Sequence, residues 1–313
     1  MRKKALIFGI SGQDGVYLTK ILIKKKVTIH GISRKQLDWQ KNLREINIPL
    51  KQIKVFKQNK NYSSLKKILN KNIYDYIIFV GGQSRPKDSF DKLEYQTFDS
   101  VIEPLKILLE FIRKQKKKSK LIFSASSEIF GQSKKLINEN TEKKPLSPYG
   151  LSKLIGLELV KSYRETFKLP VFSIIFFNHE SKLRPDDFVI KKISNYFKYK
   201  FYLKNIKLQI GNINVKRDWG WAPEYMEIFY KIIKSKKIID VIVATGKTTS
   251  LKKILEYEFK KRKLDFKKFI ATKENLIRKK DILENYANIS LLKKKFRTFP
   301  RISHNDLIKK ISF

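Results

Sequence analysis

The chain has 313 residues, 42% of them hydrophobic, which is enough to bury the core of one large α/β domain or two closely joined ones. Lys and Arg number 70 against 29 Asp and Glu, a formal charge of +41, but the lysines run through every segment and form no separate tail, which favours a lysine-rich composition over a dedicated nucleic-acid surface and leaves anionic small molecules as expected ligands. There is no cysteine, which excludes disulfides, thiolate metal sites and a cysteine nucleophile, and no apolar run approaches the roughly eighteen residues of a membrane span, so the expected protein is cytoplasmic with neither membrane nor nucleic acid as partner.

The first element is a short apolar strand, residues 5–8, that runs straight into Gly9, Gly12 and Gly15. Such a turn suits a dinucleotide: Gly9 allows a tight reversal, Gly12 lacks the Cβ that would hold the backbone off a pyrophosphate, and Gly15 lets the new helix press on the strand. The start of that helix then faces the anion. The basic residues before it give the N-terminus the look of a signal peptide, but the apolar run is too short and ends on the glycines. A helix is expected over 15–25 and a second strand over 27–32, which ends beside Arg34 and Lys35. An acidic residue there would grip the ribose of NAD, whereas two cations offer charge to the 2′-phosphate of NADP.

Further strands are expected at 53–56, 76–80, 120–124, 171–177 and 241–244, and helices near 64–69, 102–115, 148–167, 187–199, 223–233 and 251–262. β-branched runs alternating with helical periods mean parallel strands joined by crossover helices. The expected fold class is therefore α/β, a Rossmann-type doubly wound parallel sheet with a smaller C-terminal α/β substrate-binding domain. Residues 1–177 should form the cofactor domain, completed by a later strand near 238–245, with residues 178–313 mainly substrate-binding and interleaved with it.

Tyr149-Gly-Leu-Ser-Lys153 lies on the helix after the strand at 120–124, and Tyr-x-x-x-Lys spacing puts both side chains on one helical face. A lysine beside the phenol should lower its pKa, so that it can take a hydroxyl proton while hydride leaves the same carbon for a nicotinamide. The run Ser126-Ser127-Glu128 ends the preceding strand, on the edge where ligands sit in this architecture. Read without context, Glu128 is a solvated loop charge, the two serines cap the following turn, His179 is a hydrogen-bonded structural residue, and Trp219 and Trp221 belong to the core. No second histidine or acidic cluster stands at ligand spacing, so no metal is expected.

Together the glycine turn, the serine and the Tyr-x-x-x-Lys resemble the extended short-chain dehydrogenases/reductases. Five stretches resemble specifically the GDP-mannose 4,6-dehydratases: Gly9-Ile-Ser-Gly-Gln-Asp-Gly15, Gly82-Gln83-Ser84, Ser126-Ser127-Glu128-Ile-Phe-Gly131, Phe177-Asn178-His179-Glu180-Ser181 and Arg217-Asp218-Trp219-Gly220. The resemblance implies NADP held by Gly9, Gly12, Gln13, Asp14, Gly15, Arg34, Lys35, Tyr149, Lys153 and His179. It implies a catalytic set of Ser126, Ser127, Glu128, Tyr149 and Lys153, with Tyr149 acting on the carbon 4 hydroxyl, Ser126 on its oxygen, Glu128 on the proton at carbon 5 and Ser127 on the departing hydroxyl. It also implies a nucleotide-sugar partner, GDP-mannose, bound through Ser84, Asn178, Lys192, Arg217 and Arg278, and a homodimer, with a tetramer open. An NADPH-dependent reductase or epimerase on the same scaffold is the alternative.

Several positions depart from the family pattern. Ser126 stands where the dehydratases have threonine, the segment after Arg34 and Lys35 is shorter than the family's loop, and an asparagine near position 59 replaces an aspartate expected at the adenine. Arg278-Lys-Lys-Asp281 replaces Arg-Pro-x-Glu.

Overall fold

The computed structural model describes every residue except Met1, 35–39, 60, 91–93, 203–205, 279, 303 and 313. Its main sheet has seven strands, all parallel, in the order Val241–Val243, Val171–Phe176, Lys120–Ser126, Tyr76–Phe79, Lys4–Phe8, Thr28–Ser33, Ile53–Lys57. These are the seven strands expected from the β-branched runs. Strands such as Val171–Phe176 are buried throughout because helices cover both sheet faces, which is why they read as continuous apolar runs. From Lys4–Phe8 the chain builds outward to Ile53–Lys57, then crosses back to place Tyr76–Phe79 on the other side of the first strand. The order therefore reverses beside Gly9, and the crevice at this reversal is where open parallel sheets bind ligands.

Close packing fixes the helices that frame the crevice. The helix Pro148–Phe167 crosses the strand Lys120–Ser126 so tightly that a Cβ on Gly156 would lie 2.5 Å from the Phe123 ring. The helix Gln13–Lys24 packs against Ala222–Lys234.

Three smaller sheets lie outside the main one: Thr248–Ser250, Lys216–Trp221 and Asn178–Glu180 in one, Ile270–Thr272 with Leu208–Ile210 in another, and Tyr286–Ala287 with Leu136–Ile137 in the third. A second apolar cluster, including Ile193, Tyr196, Phe197, Leu255 and Phe259, lies apart from the core of the main sheet. Among the described residues no helix is long and apolar enough to cross a membrane.

Some boundaries differ from expectation for local reasons. The second strand begins at Thr28 because the Val27 amide is taken by Leu22 O, 3.0 Å away, as the preceding helix closes. The strand expected over 171–177 stops at Phe176, and two residues on Asn178 begins a strand of the smaller sheet paired with Trp219. The helix expected over 187–199 is Val189–Asn195 followed by a π-helical turn, Tyr196–Lys200.

Candidate active site

The three glycines of the opening turn do different work. Gly9 has φ +95°, and a Cβ there would lie 2.5 Å from Gly81 Cα. A Cβ on Gly15 would lie 2.3 Å from Gly9 O, so only glycine lets the helix start against the strand. A Cβ on Gly12 would meet only Gly9 O, at 3.4 Å, so its reserved space faces outward. Gly12 is also the N-cap of the helix Gln13–Lys24, and no side chain caps it. Amides aimed out of a helix start, with a glycine where a Cβ would intrude, are the features a pyrophosphate needs, and the turn fits a dinucleotide.

Gln13, Asp14 and His179 brace this turn. The Gln13 amide donates to His179 O at 3.2 Å and accepts from the Ser181 hydroxyl at 2.7 Å. His179 Nδ1 is 2.7 Å from Phe177 O, and its Nε2 is 2.9 Å from Asp14 Oδ1. Burial pushes the Asp14 carboxyl up, but His179 and Arg184 outweigh it and hold the group below its usual value. The His179 ring stacks on Tyr225 with centroids 4.8 Å apart, and a Cβ on Gly220 would strike that tyrosine at 2.2 Å. The glycine of Arg-Asp-Trp-Gly thus makes room for Tyr225, while Trp219 is buried in the second cluster. Arg34 is exposed at the end of its strand, with Nη2 3.5 Å from Gly82 O, and Lys35 lies outside the described residues. Asn59 accepts from the Ser64 amide at 3.1 Å and so satisfies a free donor in the first turn of the helix Ser63–Asn70, whose N-cap is Tyr62.

The serine, carboxylate and phenol gather at the end of the strand Lys120–Ser126. Ser126 caps the short 3-10 turn Ser127–Phe130, accepting from the Glu128 amide at 3.3 Å, and Ser127 is buried at its start. Ser147 caps the next helix in the same way, accepting from Gly150 at 3.0 Å with Pro148 in the first turn, which sets Tyr149 at the helix start. Glu128 and Tyr149 are drawn together by Gly150, whose missing Cβ would lie 2.8 Å from Glu128 O.

Lys153 sits below the phenol, 6.0 Å from the ring centroid, and its Nζ donates to Ser124 O at 2.9 Å. The electrostatics differ from the sequence expectation. Burial pushes the Tyr149 phenol up to about 12, opposed by the Ser126 hydroxyl beside it and raised further by the Glu128 charge. Burial also pulls Lys153 down to about 8. An ammonium that donates to a backbone carbonyl under the ring does not offset the cost of burying a phenolate, so the shift runs opposite to the expected one.

Glu128 also belongs to an ion-pair chain. Its Oε1 accepts from Arg278 Nη1 at 3.0 Å, Arg278 Nη1 lies 3.6 Å from Asp281 Oδ1, and Arg217 Nη2 donates to the same Asp281 oxygen at 3.0 Å. Arg217 also donates to Lys216 O and is buried, which pulls its pKa down against the attraction of Glu128 and Asp281. Of the residues expected on the substrate, Arg278 thus meets Glu128 directly and Arg217 joins it through Asp281. Ser84 is exposed on the loop after the fourth strand of the chain, Asn178 is half-buried at the start of its short strand, and Lys192 is half-buried on the helix Val189–Asn195.

Sequence reasoning did not single out Asp281, Arg184 or Gly150 as site residues. Arg184 pairs with buried Glu180 at 3.2 Å and contributes to the field at both Asp14 and Tyr149. Its signal was its place within one helical turn of the Asn-His-Glu-Ser run. Asp281 was visible as the acid three residues after Arg278. Among the described residues no group of three or more His, Cys, Asp or Glu could hold a metal ion.

Solved structures share this architecture from end to end. The UDP-glucuronic acid 4-epimerase of Bacillus cereus superposes with a TM-score of 0.86 at 18% identity, covering 99% of this chain and 98% of its own. The dTDP-glucose 4,6-dehydratase of Bacillus anthracis does so with a TM-score of 0.84 at 16% identity, covering 99% and 95%. The parallel sheet, glycine turn and Tyr-x-x-x-Lys helix are those expected of the extended short-chain dehydrogenase/reductase fold. Sequence relatives narrow this further. The GDP-mannose 4,6 dehydratase of Dictyostelium discoideum is 35% identical over 272 residues, 83% of this chain and 76% of the relative. That of Arabidopsis thaliana is 30% identical over 320 residues, 98% of this chain and 88% of the relative. A family model described as GDP-mannose 4,6 dehydratase matches residues 6–311, and the chain belongs to that family.

Proposed function

We propose that this protein is a nucleotide-sugar 4,6-dehydratase, a hydro-lyase that converts GDP-mannose to its 4-keto-6-deoxy product with NADP as resident cofactor. The observation that carries the reading is Glu128, whose backbone Ser126 and Gly150 fix at the Tyr149 end of the catalytic helix, where a dehydratase needs a base that a simple ketone reductase does without. The glycine turn would hold NADP, with Arg34 offering charge to its 2′-phosphate, and the cofactor would supply an acceptor for the hydride of carbon 4 and its donor to carbon 6.

Tyr149 takes the proton of the carbon 4 hydroxyl, and the Ser126 hydroxyl beside it holds the oxygen through the change to a ketone. The ketone acidifies the proton at carbon 5, which Glu128 removes. Loss of the carbon 6 hydroxyl, assisted by Ser127, completes the elimination of water, and once the hydride is returned to carbon 6, Glu128 gives its proton back to carbon 5 to form the 4-keto-6-deoxy sugar. Lys153, fixed by Ser124 O, supports the phenol from below. Arg217 and Arg278 supply charge for the substrate diphosphate, and Asn178 and Lys192 stand on the substrate side, residues 178–313.

Ser126 in place of threonine favours one rival, a reductase or epimerase on the same scaffold. Incubation with GDP-mannose and no added NADPH distinguishes them: the dehydratase builds up the alkali-sensitive absorbance of a 4-keto sugar, while a reductase stays silent until NADPH is supplied and then consumes it mole for mole. Glu128→Gln should slow solvent exchange at carbon 5 by about a hundredfold or more, the lower range for a positioned acid or base, with nucleotide binding retained. Unchanged exchange removes Glu128 from the mechanism.

A further inference from the structure

We propose that Arg278 is a latch on Glu128, one guanidinium shared by the base and the substrate, so that arrival of a diphosphate releases the carboxylate for catalysis. This rests on the nucleotide-sugar reading above.

The two arginines of the ion-pair chain are held differently. Arg217 is anchored twice, to Asp281 at 3.0 Å and to its neighbour's carbonyl at 2.9 Å, and its side chain is 5% exposed. Arg278 makes both of its carboxylate contacts from Nη1, at 3.0 Å to Glu128 and 3.6 Å to Asp281, and its side chain is 29% exposed. A guanidinium has five N–H donors in a planar fork, so contacts through one nitrogen leave most of its capacity for another anion. Two cations and two carboxylates make this chain neutral, and Arg278 is its link nearest to solvent.

A carboxylate oxygen engaged by a guanidinium at 3.0 Å is occupied and is held toward that cation rather than toward a substrate. A diphosphate brings more charge and paired oxygens that match the fork, and so competes for it better than one carboxylate. Drawing Arg278 toward the diphosphate leaves Glu128 with one cation fewer, beside the sugar whose proton it must take. The base is thereby masked until a substrate carrying a diphosphate is in place.

The latch predicts a linkage that can be read without turnover. If Glu128 and the diphosphate compete for Arg278, then Glu128→Gln should tighten GDP binding, and only while Arg278 is present. Calorimetric titration of GDP into the full chain, wild type, E128Q, R278Q and the double variant, with thermal melts to confirm folding, makes a double-mutant cycle. We expect E128Q to tighten GDP about tenfold in the wild-type background, within the range of coupling between contacting charged residues, and less than about twofold in the R278Q background. Equal tightening in both backgrounds marks a bare charge effect and overturns the latch, as does no tightening at all. If R278Q does not fold, R278K replaces it under the same criteria, since an ammonium lacks the planar fork. A wild type that does not bind GDP overturns the diphosphate reading itself, a failure distinct from that of the cycle.

Discussion

Gly12 and Gly15 stand three residues apart in one motif, yet substituting each with alanine should have opposite consequences. At Gly15 the new Cβ would lie 2.3 Å from Gly9 O and 2.8 Å from Ile10 Cα, both backbone atoms of the buried turn that cannot swing aside. Overpacking of this kind costs about 3 kcal/mol, and the helix propensity gained over glycine returns roughly 1 kcal/mol of it. At about 2.1 cal/mol/K of unfolding entropy per residue over 313 residues, a net loss near 2 kcal/mol lowers the melting temperature by about 3 °C. At Gly12 the new Cβ meets only Gly9 O at 3.4 Å, and the residue is an extended N-cap, so Gly12→Ala should cost no more than about 1 kcal/mol of stability. Its methyl group instead enters the space in front of the helix amides. Thermal melts and fluorescence titration with NADP separate the effects: Gly15→Ala melts early, whereas Gly12→Ala melts nearly as the wild type does but loses most of its cofactor affinity. The reasoning is refuted if Gly12→Ala binds NADP normally, or if Gly15→Ala melts with the wild type.

Tyr149→Phe should reduce turnover of GDP-mannose by about a thousandfold, the middle of the range for a positioned general acid or base, with the fold retained in thermal melts; turnover within tenfold of wild type would remove the phenol from the reaction. Gly150→Ala would push a Cβ to 2.8 Å from Glu128 O and displace the base, so turnover should fall about a hundredfold with GDP binding kept, and normal kinetics would show that the carboxylate does not depend on this contact. His30, buried and 2.8 Å from the Tyr74 hydroxyl, has its pKa lowered from 6.5 to about 4 by burial and by the charges of Lys4 and Lys54. The unfolded chain therefore takes up this proton first: the stabilisation is whole above pH 6.5 and is lost as pH falls toward 4, and at about 1.4 kcal/mol per pH unit the loss is roughly 3 kcal/mol. Melts of the wild type and His30→Gln between pH 7 and pH 4 should diverge, and parallel curves would contradict the assignment.

The main sheet was legible because most of its strands are buried on both faces and read as apolar runs, the half-buried edge strand Ile53–Lys57 excepted. Asn178–Glu180, Lys216–Trp221 and Leu208–Ile210 were not, because three to six residues with mixed polarity carry too little periodicity to distinguish strand from loop. Ser126, Glu128, Tyr149 and Lys153 could be named because the Tyr-x-x-x-Lys follows a glycine turn and a strand-end serine, and because Asn-His-Glu-Ser and Arg-Asp-Trp-Gly elsewhere in the chain are uncommon strings. The partner of Glu128 could not: Arg278 lies 150 positions away, and local spacing says nothing about a contact made by the folded chain. The perturbed phenol was also beyond the sequence, since Tyr-x-x-x-Lys fixes a shared helical face but not how far the ammonium lies from the oxygen or what else it bonds.

The clasp formed by Gln13, Asp14, His179 and Ser181 ties the start of the diphosphate-facing helix to the strand that carries Asn178. Any motion that opens one must break polar bonds to the other, so a dinucleotide bound as proposed should leave slowly. An enzyme that hands its hydride back within a single catalytic cycle never has to exchange the carrier, and a nearly permanent tenant suits it better than a quick visitor.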